Sequence, residues 1–160
     1  AVTPFAHDPA IMATTLITPL SNPADLFNPH VVKVVVDREG FALYFSRAPI
    51  PYPRNVGTRT DDRSPKQPEL ISTLDKEGLE GYWHHIGLYA FRRDFLLKIV
   101  HLPPGHLERR EKLEQLRILE NGFKLKTVTS SAPSIGIDTP EDVERFKLLI
   151  ESPGGFPGSS

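Results

Sequence analysis

The chain has 160 residues, 39% of them hydrophobic and 24% charged, with a formal net charge of −1; this suffices for one ordinary buried core and is not the composition of a disordered chain. Its Lys and Arg residues are scattered rather than striped, which argues against a nucleic-acid partner, and no apolar run approaches the ~20 residues a membrane span needs. With no cysteine there is no disulfide framework, thiolate metal site or thiol nucleophile, which fits a reducing cytoplasm, the expected location, and the Ala1-Val2-Thr3-Pro4-Phe5 start lacks the basic-then-apolar pattern of a secretory signal.

Taken in order, residues 11–20 are rich in β-branched side chains and predict a strand, closed by Pro19. Asn22-Pro23-Ala24-Asp25-Leu26-Phe27-Asn28-Pro29 is turn-rich and reads as a connection. Residues 31–36 and 41–46 are two further strands, and Asp37-Arg38-Glu39-Gly40 between them is a tight turn, so the pair predicts a β-hairpin. Residues 54–81 are polar and turn-rich, with few apolar anchors, and predict a long excursion of the kind that often carries function.

Residues 82–91 return to a strand whose alternation places His85, Gly87, Tyr89 and Phe91 on one face. Asp94 is suited to cap a short helix running to Val100, stopped by Leu102-Pro103-Pro104-Gly105. Residues 107–120 predict a single helix ended by Asn121-Gly122, and 123–129 a last strand. Thr139-Pro140-Glu141-Asp142 has the cap, first-turn proline and capping-box carboxylate of a helix start, and Val143, Phe146, Leu149 and Ile150 supply its apolar face. Residues 152–160 are a Gly/Pro/Ser tail, expected to be flexible. The order predicts an α/β fold: a mainly parallel sheet with an antiparallel hairpin, carrying fewer βα units than a complete doubly wound domain.

Four places could carry chemistry. His85 and Tyr89, four apart on one strand face, could both reach one ligand with polar tips on partly apolar bodies; amphipathic residues at a solvent boundary would look the same. In the 107–120 helix, Leu113, Leu116 and Leu119 form one apolar face while Leu107 and Ile118 fall nearly opposite, flanked by Glu111 and Glu114. A helix apolar on two sides is sandwiched, so one of its carboxylates is expected to be partly buried and to need a cation, donor or ligand, with Arg110 and Arg117 as candidate partners of Glu114. Asp138, before a helix start, could hold a divalent cation or merely cap the helix. Arg47, next to Ala48-Pro49-Ile50-Pro51, has a planar guanidinium suited to a carboxylate, although a surface Arg with no specific role is commoner. No Gly-x-Gly-x-x-Gly, P-loop, Gly-x-Ser-x-Gly or His-Glu-x-x-His occurs.

Together these segments resemble one family. Phe27-Asn28-Pro29-His30-Val31-Val32-Lys33-Val34-Val35-Val36-Asp37 and Gly40-Phe41-Ala42-Leu43-Tyr44-Phe45-Ser46-Arg47-Ala48-Pro49-Ile50-Pro51 are similar to the hairpin of the CMP-Kdo synthetases (3-deoxy-manno-octulosonate cytidylyltransferases). His84-His85-Ile86-Gly87-Leu88-Tyr89-Ala90-Phe91-Arg92, Leu113-Glu114-Gln115-Leu116-Arg117 and Gly136-Ile137-Asp138-Thr139-Pro140-Glu141-Asp142 resemble its next strand, its helix and its closing motif, in the same order.

The resemblance implies an incomplete nucleotide-diphospho-sugar-transferase-like (Rossmann-like) sheet with an antiparallel hairpin that serves dimerisation, formed by residues 1–151 with 54–81 as an insertion. It implies attack of the anomeric hydroxyl of Kdo on the α-phosphate of CTP, with Mg²⁺, giving CMP-Kdo and pyrophosphate in lipopolysaccharide precursor synthesis. Carried over by position, Arg47, His85, Tyr89, Glu114 and Gln115 would line the Kdo pocket, and Asp138 would be a catalytic Mg²⁺ ligand. The family's basic triphosphate loop and its Gln-Gly-Asp-Glu-Pro segment do not occur here. The chain by itself is therefore expected not to bind CTP in the family manner. Two other readings stay open: a non-catalytic sugar-binding or dimerisation module, and a cytidylyltransferase for a related 2-keto acid such as sialic acid.

Overall fold

A computed structural model describes residues 1–53 and 77–130, together with 143, 144, 147 and 148. The chain divides into two compact units, Ala1–Thr129 and Ser130–Ser160; the elements below belong to the first. The predicted insertion at 54–81 falls mostly outside the described residues, as do Asp138, the Thr139-Pro140 helix start and the tail. Of the last predicted helix, 143, 144, 147 and 148 are described, and all four are helical.

The elements in order are α1 (Pro4–His7), β1 (Ala13–Pro19), α2 (Pro23–Phe27), β2 (Lys33–Val36), β3 (Ala42–Ser46), β4 (Trp83–Phe91), α3 (Arg93–Ile99), α4 (His106–Glu111), α5 (Leu116–Glu120) and β5 (Lys126–Thr129). The strands form one open sheet in the order β3-β2-β4-β1-β5. Among the described residues only β1 and β5 run parallel; β1–β4, β2–β3 and β2–β4 are antiparallel. The sheet is therefore mixed α/β as expected but mainly antiparallel, because a tight turn joins β2 to β3 and β4 returns beside both β2 and β1.

The hairpin forms where its sequence placed it. Asp37 Oδ1 accepts the backbone N–H groups of Glu39 at 2.9 Å and Phe41 at 2.8 Å. Gly40 takes φ +78°, which its lack of a side chain permits. Residues 22–29, expected to be only a connection, contain α2, because Asn22 accepts the N–H of Ala24 and Pro23 is preset for a first helical turn. Asp94 does not cap α3: Arg92 holds the cap position and Asp94 lies in the first turn.

The predicted 107–120 helix is two helices. Lys112 adopts a left-handed conformation, φ 57° and ψ 47°, and ends α4. The break resolves the two opposed apolar faces. Once the axis turns, Leu113, Leu116 and Ile118 are buried in one core with Ala13, Ile17, Val34, Ala42, Phe45, Phe95 and Leu125, and Leu107 and Leu119 pack against that same core. A smaller cluster of Leu20, Leu26, Leu79 and Tyr82 closes the other end of β1. Among the described residues no helix is long and apolar enough to cross a membrane.

Candidate functional site

One face of the sheet carries a row of rings. Phe45 meets His85 edge-on at 4.7 Å between centroids, His85 lies 5.5 Å from Tyr89, and Tyr89 stacks on Phe91 at 5.8 Å. His85 and Tyr89 therefore share a face, as their alternation required. The connection between α4 and α5 brings Gln115 onto this row, its Nε2 3.5 Å from His85 Nδ1. On the other ring nitrogen, His85 Nε2 is 2.8 Å from Thr15 Oγ1. His85 and Gln115 are each 6% exposed, and Thr15 is fully buried.

Burial and the neighbouring His84 push the His85 imidazole down to about 4, so it is neutral at physiological pH. Burial, reinforced by the Glu114 carboxylate, raises Tyr89 and keeps its phenol protonated. Glu114 itself is exposed and acts on Tyr89 through its charge. The cluster is thus a pair of neutral polar rings and a primary amide on an apolar bed, with a carboxylate at its edge. Such groups donate to and accept from hydroxyls without putting charge against them.

Arg47 is placed differently from the expectation of a free carboxylate clamp. Its Nε donates to the Glu111 carbonyl at 2.9 Å, and its terminal nitrogens donate to the carbonyls of Pro29 at 2.8 Å and Lys112 at 3.4 Å. Among the described residues these partners take three of the five guanidinium N–H groups, leaving two. Arg47 thereby ties the end of β3 to the loop before β2 and to the break between α4 and α5. Glu111 completes the tie: its carboxylate accepts the Ser46 hydroxyl at 2.6 Å and the Arg47 N–H at 3.0 Å.

The buried carboxylate expected on this helix is Glu108, rather than Glu111 or Glu114. Arg117 grips it with two N–H groups, at 2.8 and 2.5 Å. The pairing of Arg117 with Glu114 assumed a continuous helix, and the break at Lys112 replaces it with a pairing across two helices. Sequence reasoning also passed over Thr15 and Lys33. Lys33 is fully buried and donates to the carbonyls of Asn28, Val31 and Arg47 at 2.9, 2.6 and 2.6 Å. Neither was marked by residue type, since a Thr and a Lys in strands look ordinary until the chain folds around them; Thr15 meets partners some seventy residues away, and Lys33 gathers the carbonyls of Asn28, Val31 and Arg47.

Among the described residues no cluster of three or more His, Asp or Glu side chains is arranged to hold a metal ion. Asp138, the carboxylate expected to bind one, lies outside them.

Comparison with known proteins places these residues in a larger set. Residues 6–128 match a family described as Cytidylyltransferase. A 3-deoxy-manno-octulosonate cytidylyltransferase of Syntrophotalea carbinolica is 50% identical over 150 residues, covering 94% of this chain and 55% of the relative. A protein of the same name from Solibacter usitatus is 43% identical over 152 residues, covering 95% and 52%. A solved structure of CMP:2-keto-3-deoxy-manno-octonic acid synthetase complexed with CTP superimposes with a TM-score of 0.73 at 36% identity, covering 93% of this chain and 53% of that one. The chain spans about half the length of the curated relatives it matches.

Proposed function

The chain belongs to the cytidylyltransferase family, and from that premise we propose that it serves the activation of 3-deoxy-manno-octulosonate (Kdo) by CTP, contributing the part of the site that faces the sugar. The observation that carries this reading is the convergence of His85, Tyr89 and Gln115 on one apolar face, within a stretch half identical to a protein named for that reaction. In the reaction the anomeric oxygen of Kdo bonds to the α-phosphorus of CTP, the α–β phosphoanhydride breaks, pyrophosphate leaves, and the hydroxyl proton is lost to solvent.

His85, Tyr89 and Gln115 hold sugar hydroxyls, and the two remaining Arg47 N–H groups and Glu114 border the pocket. Neutral ring donors and acceptors suit this task, because they orient the attacking hydroxyl without binding the α-phosphate themselves, and such a transfer depends on positioning together with charge neutralisation. Asp138 is the residue this chain would bring to a Mg²⁺ ion, which supplies charge neutralisation at the phosphates when bound. The described residues alone do not make a metal site, so no step is routed through one. We place the activity in a cytoplasmic homodimer joined through the β2–β3 hairpin.

Titrating Kdo into the chain tests the sugar reading. Binding that falls in His85→Ala and Gln115→Ala, and is weaker for sialic acid than for Kdo, is the expected result. No Kdo binding, or equal binding by the wild type and both variants, overturns it. Adding CTP and Mg²⁺ and looking for CMP-Kdo distinguishes a catalytic chain from one that holds the sugar only.

A further inference from the structure

We infer that Thr15 is a positioning residue for this site: it pins a two-residue bulge that brings His85 and Tyr89 together, and it selects the His85 tautomer that presents a bare Nδ1 to Gln115. In the β1–β4 ladder Ile17 faces His85, Leu16 faces Ile86, and the next partner of Thr15 is Tyr89. β4 thus passes over Gly87 and Leu88 while β1 advances a single residue. In a regular strand, residues four apart stand about 13 Å from each other at ~3.3 Å per residue. The bulge makes His85 and Tyr89 the partners of Ile17 and Thr15, two apart on β1, and their rings lie 5.5 Å apart.

The Thr15 hydroxyl sits inside that bulge, 3.0 Å from the Leu88 carbonyl, 3.4 Å from that of Ile86 and 2.8 Å from His85 Nε2. A hydroxyl has one proton to give. Given to Leu88, whose residue the ladder passes over, it leaves the oxygen to accept from His85 Nε2–H. His85 Nδ1 then carries the lone pair, and the Gln115 amide at 3.5 Å donates to it. A ligand hydroxyl that displaces this long Gln115 contact meets an acceptor nitrogen. The tautomer assignment stands on the hydrogen bonds alone, and its effect on affinity rests on the sugar reading above.

The test is nitrogen-detected NMR of the histidine-labelled chain, paired with Kdo titration. The wild type should show neutral His85 protonated at Nε2. Thr15→Val should lose the single tautomer and weaken Kdo binding about tenfold, with Thr15→Ser retaining the tautomer and staying within about twofold of wild type. A wild-type His85 protonated at Nδ1, or a Thr15→Val spectrum unchanged at His85, overturns the inference. Should Thr15→Val not fold, the wild-type and Thr15→Ser spectra decide it. If the tautomer responds as described while wild-type chain binds no Kdo, the sugar reading fails and the role of Thr15 stands.

Discussion

The Glu120 carboxylate fills the space that a side chain on Gly105 would need: a methyl group there would lie closer to Glu120 Oε2 than van der Waals contact allows. From that position Glu120 accepts the N–H groups of Leu107 at 2.9 Å and Glu108 at 3.2 Å, capping α4 from α5. Gly105→Ala should therefore lower the urea midpoint by displacing the cap, not by straining the backbone. In a Glu120→Ala background the same substitution should cost clearly less. Additive losses in this double-mutant cycle would show that the two residues do not share the space as described.

Glu108 and Arg117 form a bidentate pair with side chains 10% and 24% exposed. Arg117→Ala leaves a largely buried carboxylate without its cation and should destabilise the fold by about 3 kcal/mol, the low end for a broken buried pair. Arg117→Lys keeps the charge but loses the fork and should fall between. Equilibrium urea unfolding measures both, and a loss within error of zero for Arg117→Ala would mean that water replaces the guanidinium at no cost.

Acid should destabilise the chain in two stages. His85 is lowered to about 4 by burial and by His84, below its unfolded 6.5. The unfolded chain therefore binds more protons between those values, and stability declines as pH falls from about 6.5 to 4. Glu108, held down first by its hydrogen bonds from Arg117, and Glu120, held down first by the Leu107 N–H, contribute stability that is present above pH 4.5 and lost as pH falls through their folded values. Because His84 is lowered by burial too and Glu120 remains in the lower window, the pH dependence of the urea midpoint should become shallower, not flat, in the upper window for His85→Gln and in the lower for Glu108→Gln. Parallel curves in either window would contradict the corresponding assignment.

Lys33 gives a slope of the same sign in alkali. Burial first, then the charge of Arg47, lowers it from 10.5 to about 8. The unfolded chain holds that proton longer, so stability should rise between about pH 8 and 10.5. Above pH 10 the raised Tyr44, Tyr82 and Tyr89, each shifted chiefly by burial, work against it. Stability should therefore climb from about pH 8 and peak near pH 10, and Lys33→Met should remove the rise. Because that variant also leaves three carbonyls without their donor, it should cost about 3 kcal/mol at pH 7. A Lys33→Met chain as stable as wild type at pH 7 would rule out this account of the buried lysine.

Much of the ring row was legible in advance, since strand alternation alone puts His85, Tyr89 and Phe91 on one side of β4. The hairpin was equally legible, because the Asp37–Gly40 turn is closed by hydrogen bonds within four residues. The helix at 107–120 misled because its caps and charges are those of a continuous helix, and nothing local marks Lys112 for a left-handed turn. What breaks it is the gain from burying both apolar faces in one core, a term that exists only when β1, β2 and β3 are in place.

The sequence by itself determined what a local pattern encodes: the extended, alternating segments, the hairpin turn, the Asn121-Gly122 helix stop and the side of β4 on which the site is built. Tertiary structure alone decided how close His85 comes to Tyr89, which ring nitrogen meets Gln115, which glutamate is buried, and that Arg47 holds three carbonyls together. Each of those depends on a bulge, on the break at Lys112 or on a bond between separate elements. Local propensity carries no information about such partners, because the desolvation that makes them matter begins only when distant segments pack.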